Sequence, residues 1–194
     1  LSLMSGKKEN IASAIVFFEE SYKIARKNNL YEEMGRSLIF LSAMNRQIPD
    51  ADKALNLASQ AVSVLSNTGN DSLHCLGLLS VGAANLSKDD KLMCLKNYFD
   101  ATVLAEKAKN STLLRSCYSR LSGFYQSVEN YEKSLDYAFK MIDISRQDQN
   151  PDMKYARISD LKLVGDIYLQ KKNYDLAAVF YERSIRAADS IKFN

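Results

Sequence analysis

At 194 residues, 46% hydrophobic and 25% charged, the chain has enough apolar side chains for a packed core and too many for a disordered segment. Seven glycines and two prolines are too few to turn a sheet at every short strand, so an all-α fold is expected. A net charge of +3 without a block of like charges excludes direct nucleic-acid binding driven by phosphate, and three irregularly spaced cysteines exclude a disulfide framework.

The chain opens on "LSLMSGKKEN", which has neither an initiating methionine nor the apolar stretch of a signal peptide, so a longer parent protein is expected. No apolar run approaches the roughly 18 residues of a membrane span. The cytoplasm is favoured, with the periplasm open if a signal or span lies outside this segment.

In chain order, five residues suited to capping a helix recur: Asn10, Asp50, Asp90, Asn130 and Asn173, at spacings of 40, 40, 40 and 43. Asn and Asp accept the free N–H groups of a first helical turn, so each marks an expected helix start. Four residues after each comes a small residue, namely Ala14, Ala54, Cys94, Ser134 and Ala177. Eight after come Phe18, Ala58, Tyr98, Ala138 and Tyr181; eleven after come Ser21, Ala61, Ala101, Met141 and Ser184. Offsets of four, eight and eleven share one helical face.

Upstream of four caps runs a second amphipathic stripe: Leu38, Leu41, Ser42, Asn45; Leu78, Val81, Gly82, Asn85; Tyr118, Leu121, Ser122, Tyr125; and Leu161, Val164, Gly165, Tyr168. Its i, i+3, i+4, i+7 spacing is that of a helix with one core face. Its third member is always Gly or Ser, which lets a partner helix approach closely. The pattern predicts a truncated first repeat over 1–28, then helix pairs over 31–67, 71–108, 111–147 and 151–191, in a single array over 1–194. The longer last interval is expected to hold an extension around "QDQNPDMKY", with Asn150 capping and Pro151 opening a helix.

The fourth copy, "LKLVGDIYLQKKNYDLAAVFYERSI", resembles the tetratricopeptide repeat (TPR) family. Leu161, Val164, Gly165 and Tyr168 fall on its first-helix positions; Tyr174, Ala177, Tyr181 and Ser184 fall on its second-helix positions. The third copy matches with Tyr118, Leu121, Ser122, Tyr125, Tyr131 and Ser134, whereas Asn45 and Asn85 replace the aromatic in the first two complete copies. The period of 40 exceeds the family's usual 34, and the proline that commonly ends a repeat is missing. Six extra residues add about 9 Å of helix per repeat. A long-period subclass is implied, as in the regulatory arrays of bacterial signalling proteins. The resemblance implies an α-α solenoid: a right-handed superhelix of stacked antiparallel helix pairs.

Catalytic chemistry has no recognisable carrier. His74 is the only histidine, Cys94 sits at a core position, and no phosphate loop, catalytic triad or paired-carboxylate motif occurs. No catalytic residue, metal site or cofactor is expected, and the chain is read as a non-enzyme. In the family the first helices line a concave groove. Carried over by position, the candidate ligand residues are Arg36, Ile39, Phe40, Ala43 and Arg46, then Leu79, Ala83 and Leu86, then Ser119, Arg120, Gly123 and Gln126, then Lys162 and Asp166. The family's clamp for chaperone carboxylates is absent, since Ile39 and Ala43 stand where it would begin. The expected function is protein or peptide binding, as the sensory or interaction part of a larger bacterial signalling or transcription-regulatory protein. The alternative is a scaffold for assembling a protein complex. The chain starts inside a repeat and stops at "SIRAADSIKFN" without an obvious polar cap, so either more helices follow in the full protein or end-to-end or dimeric association of two copies is expected.

Overall fold

The computed structural model describes residues 2–48, 50–148 and 150–192, with side chains between Asn10 and Ile191. The described residues are all helical, without strands: α1 Ser2–Lys27, α2 Tyr31–Gln47, α3 Ala51–Leu65, α4 Asp71–Ser87, α5 Lys91–Lys107, α6 Ser111–Ser127, α7 Tyr131–Gln147, α8 Pro151–Gln170 and α9 Tyr174–Lys192. Even-numbered helices begin 40 residues apart, at 31, 71, 111 and 151. The chain divides into two compact units, Leu1–Asn110 and Ser111–Asn194. In the first, each helix from α1 to α5 packs on the next and α2 also touches α4; in the second, α6, α7, α8 and α9 pack in sequence.

The helices begin where the side chains dictate. Asp50, Asp90, Asn130 and Asn173 each accept a hydrogen bond from the backbone N–H three residues on, at 3.0, 3.0, 3.2 and 3.2 Å. The cap expected at Asn10 does not form, because α1 runs through that position from Ser2 to Lys27 and its neighbours are ordinary helix formers. The extension in the last interval lengthens a helix: α8 has 20 residues where α2, α4 and α6 have 17, with Asn150 as its cap and Pro151 in its first turn.

Helix ends use one device repeatedly. Asn29, Asp89, Lys109, Glu129 and Lys172 have φ between 50 and 59°, the left-handed region that side chains resist. One residue on, an N–H reaches back five residues along the helix, closing a six-residue loop, as from Asn173 to the Tyr168 carbonyl at 2.9 Å and from Asn130 to the Tyr125 carbonyl at 2.8 Å. This closure satisfies carbonyls the helix leaves unpaired. At Asp90, Asn130 and Asn173 the residue closing one helix also caps the next. Gly69 takes the same φ sign after α3. The turn after α2 differs: Ile48 is extended, as expected of a residue before a proline.

The core lies between the paired helices, along the small-residue stripes. Ala54, Ala58 and Ala61 are buried on α3, Cys94, Tyr98 and Ala101 on α5, Ser134, Ala138 and Met141 on α7, and Ala177 and Ser184 on α9. At the close approach of each pair the residues alternate. Ser42 Oγ donates to the Ala54 carbonyl at 2.8 Å opposite Ala58, and Ser122 Oγ donates to the Ser134 carbonyl at 3.1 Å opposite Ala138. In the other two pairs glycine meets a tyrosine ring: a Cβ on Gly82 would lie 2.5 Å from Tyr98, and one on Gly165 would lie 2.7 Å from Tyr181.

The second unit also buries a charge. Asp160 on α8 is fully buried and receives two hydrogen bonds from Arg115 on α6, from Nε at 2.8 Å and from the terminal nitrogen that also donates to the Ala156 carbonyl. A fork-shaped guanidinium satisfies both carboxylate oxygens at once.

Candidate functional site

In the first unit, Arg36 and Phe40 of α2 project into a cavity of about 320 Å³ between α1 and α2, with Phe18, Ile24, Leu30 and Glu33 among its walls. Phe18 and Phe40 stack face to face, ring centroids 4.6 Å apart and planes within 10°. Phe40 is nevertheless 48% exposed, as is Leu30 at 46%. No ion pair engages Arg36 among the described residues. The cavity therefore offers an apolar slot whose wall carries one cation, Arg36, and one anion, Glu33, with no ion pair joining them.

The remaining first-unit candidates differ in surroundings. Ile39, Ala43 and Arg46 are half-buried on α2. Leu79 and Ala83 are buried at 6% and 5% exposure, and Leu86 is half-buried. The hydrophobic character of α4 makes more than one face apolar, so periodicity did not separate its core residues from its surface. The Phe18 wall was legible only as a core position, eight residues beyond Asn10; Ile24 and Leu30 had no signal.

In the second unit Ser119, Arg120 and Gly123 are exposed on α6 and Gln126 is half-buried. Gly123 faces open space, since a Cβ there would meet nothing. On α8, Lys162 and Asp166 pair with each other at 2.8 Å, and Tyr181 Oη donates to Asp166 at 2.8 Å. The hydrogen bond to Asp166 raises both the Lys162 ammonium and the Tyr181 phenol above their ordinary values. These two candidates thus have each other and a tyrosine as partners, whereas Arg120 has no ion pair among the described residues.

No grouping of His, Cys, Asp and Glu among the described residues could hold a metal ion. His74 is half-buried on α4. Cys75, Cys94 and Cys117 are buried free thiols, and burial pushes the Cys94 thiol up, away from the nucleophilic thiolate. No described helix is long and apolar enough to cross a membrane.

Helix hairpins with capped turns, glycine or serine at the close approach and small-residue stripes define a TPR-like helical repeat fold. A tetratricopeptide repeat model matches residues 163–190, the end of α8 and most of α9. Among solved structures the chain is similar to a Rap protein complexed with Competence and Sporulation Factor, with TM-score 0.78, 15% identity, and 96% of this chain and 52% of that one covered. It is also similar to nearly identical TPR-like repeats assigned to a kinesin light chain of Podosopora anserina, with TM-score 0.71, 12% identity and coverage of 97% and 91%. A third similar structure is MamA, with TM-score 0.60, 18% identity and coverage of 98% and 96%. No curated protein sequence matches the chain.

Proposed function

We propose that residues 1–194 form a non-enzymatic module that binds a protein segment or peptide, belonging to the long-period TPR subclass and serving as the interaction part of a larger bacterial signalling or regulatory protein. The cavity of Phe18, Arg36 and Phe40 supports the binding role most directly. The half-buried Phe18 and exposed Phe40 rings take an apolar side chain, and a guanidinium outside any ion pair takes a carboxylate, so the slot suits a segment that is apolar with one acidic group. The fold class generally serves protein binding. The Rap protein, similar at the fold level, was solved in complex with Competence and Sporulation Factor. The 40-residue spacing of the even-numbered helices favours the long-period subclass.

The test is selection of a displayed random-peptide library on the purified chain, with Arg36→Glu and Phe40→Ala variants beside it. Peptides combining an apolar anchor with an acidic residue are expected on the parent, and both variants should lose at least about tenfold in affinity. Peptides that bind parent and variants equally would remove this cavity from the site. Arg120→Glu, run in parallel, reports on the second unit's face.

A second reading, assembly of copies into a scaffold, is favoured by the outer stripe of α5. Leu92, Phe99 and Val103 there are 78, 41 and 63% exposed. Equivalent positions on α3 are Asp52, Ser59 and Ser63, so the repeat itself does not require apolar residues at that face.

A further inference from the structure

Wholly within the second unit, a cleft of about 430 Å³ opens between α7, α8 and α9, and four of its lining residues are arginines: Arg146, Arg157, Arg183 and Arg186. An adjoining cavity of about 350 Å³ shares Arg146 and Arg157 and adds Lys154. The floor of the cleft is apolar, with Ile142, Leu161 and Ala187.

Two observations make this more than a solvated charge cluster. Among the described residues, Arg146, Lys154, Arg157 and Arg183 take part in no ion pair; only Arg186 has a carboxylate partner, the exposed Glu182 at 3.3 Å. Asp148, the acid in the adjoining cavity, accepts from Ser111 Oγ and the Asn150 N–H at 2.5 and 2.9 Å, which hold its carboxyl below the ordinary range, so it stands as one anion against the three cations Arg146, Lys154 and Arg157. Like charges around one concavity repel, so an anion that bridges them lowers the energy of the unit.

The repeat also shows that these arginines are not demanded by the scaffold. In register, Arg157 of α8 corresponds to Leu114 and His74, and Arg146 of α7 corresponds to Glu106 and Ser66. Arg183 and Arg186 of α9 correspond to Lys140 and Asp143 on α7 and to Asp100 and Val103 on α5. Apart from Lys140 at the Arg183 position, the same packing is built at these counterparts with neutral, apolar or acidic residues, and among the compared positions four arginines come together in this cleft alone.

We infer that the α7–α8–α9 cleft is a binding site for a phosphate monoester. A planar guanidinium donates two parallel hydrogen bonds to phosphate oxygens, and a dianion can be shared among several arginines where a single carboxylate cannot. Arg157, which is half-buried between the two cavities, is the inner ligand; Arg146, Arg183 and Arg186 form the rim. The apolar floor receives whatever carries the phosphate. The cleft is built from second-unit residues and the cavity of Arg36 from first-unit residues, so neither needs the other.

Titration of the full chain with phenyl phosphate and with inorganic phosphate, in phosphate-free buffer of low ionic strength, tests this by calorimetry and by the arginine side-chain N–H resonances. Saturable binding of phenyl phosphate is expected, weakened about tenfold by Arg157→Ala and by Arg146→Ala and also by raised salt. Arg157→Lys, which keeps the charge but not the fork, should recover only part of the loss, while Lys133→Ala elsewhere on α7 should leave binding unchanged. Helical circular dichroism of each variant separates lost binding from lost folding. Phenyl phosphate binding more tightly than inorganic phosphate would assign the site to a phosphorylated partner, and equal binding to the free anion. An affinity for both no greater than for chloride, or an Arg157→Ala variant that is folded and binds as the parent does, would overturn the assignment.

Discussion

Gly82 and Tyr98 show how much of the packing is decided between single residues. The tyrosine ring occupies the space a Cβ at position 82 would need, with the nearest ring carbon at 2.5 Å and the Cys94 carbonyl at 3.2 Å. The neighbouring pairs solve the same approach with Ser42 and Ala58 and with Ser122 and Ala138, where the serine hydroxyl bonds to the facing backbone. Glycine with tyrosine and serine with alanine are therefore two complete solutions, and a mixture is neither. Gly82→Ser alone should destabilise the first unit by about 2 kcal/mol through overpacking. Tyr98→Ala alone should cost about 3 to 5 kcal/mol through the cavity it leaves. The double variant should cost at least about 1 kcal/mol less than the sum, because the new hydroxyl gains both room and a carbonyl partner. Urea unfolding followed by circular dichroism measures all three; strict additivity would mean that the two positions do not share the space described.

At the scale of the element, the turns carry strain that sequence composition does not announce. Lys109, Glu129 and Lys172 adopt positive φ although none is a residue type that favours it, whereas Asn29 and Asp89 are better suited. The geometry is imposed by the six-residue closure behind each turn and by the capping side chain ahead of it. Lys172→Gly should therefore stabilise the second unit by about 0.5 to 1 kcal/mol, relief of strain outweighing glycine's extra freedom in the unfolded chain. Gly69→Ala should destabilise the first unit by about 1 kcal/mol. A thermal melt decides both, and a lower midpoint for Lys172→Gly would count against the strain. What could be read beforehand was the cap, since Asp50, Asp90, Asn130 and Asn173 announce themselves by residue type and spacing. Asn10 shares the type and spacing but lies within continuous α1, so periodicity alone overextended the series. The Arg115–Asp160 pair was illegible for a different reason. Its partners lie 45 residues apart, and nothing local distinguishes a buried carboxylate from an exposed one before the helices are packed.

At the scale of the whole molecule, the pattern of paired helices was legible because every copy repeats one core, while the interaction surfaces were not, because each copy varies them independently. The candidates on α2 and α8 illustrate this: Arg36 borders a cavity completed by α1, whereas Lys162 and Asp166 pair with each other. The α5 stripe is a third case, visible only once its face is known to point outward. Leu92, Phe99 and Val103 lie opposite the buried Cys94, Tyr98 and Ala101, with the ion pair of Lys96 and Asp100 beside them. A two-fold interface must be self-complementary, and an apolar strip flanked by one cation and one anion meets that requirement when two α5 helices lie antiparallel. Association of two copies through this face is the expected outcome. Sedimentation velocity over a concentration series should show a monomer–dimer equilibrium, with Val103→Glu and Leu92→Glu each shifting it to monomer while leaving helical content intact. Since both positions are exposed, neither change should cost more than a few tenths of a kcal/mol in folding, roughly the scale of surface substitutions. A parent chain that stays monomeric across the series, or a dimer indifferent to both charges, would leave α5 without a role in assembly.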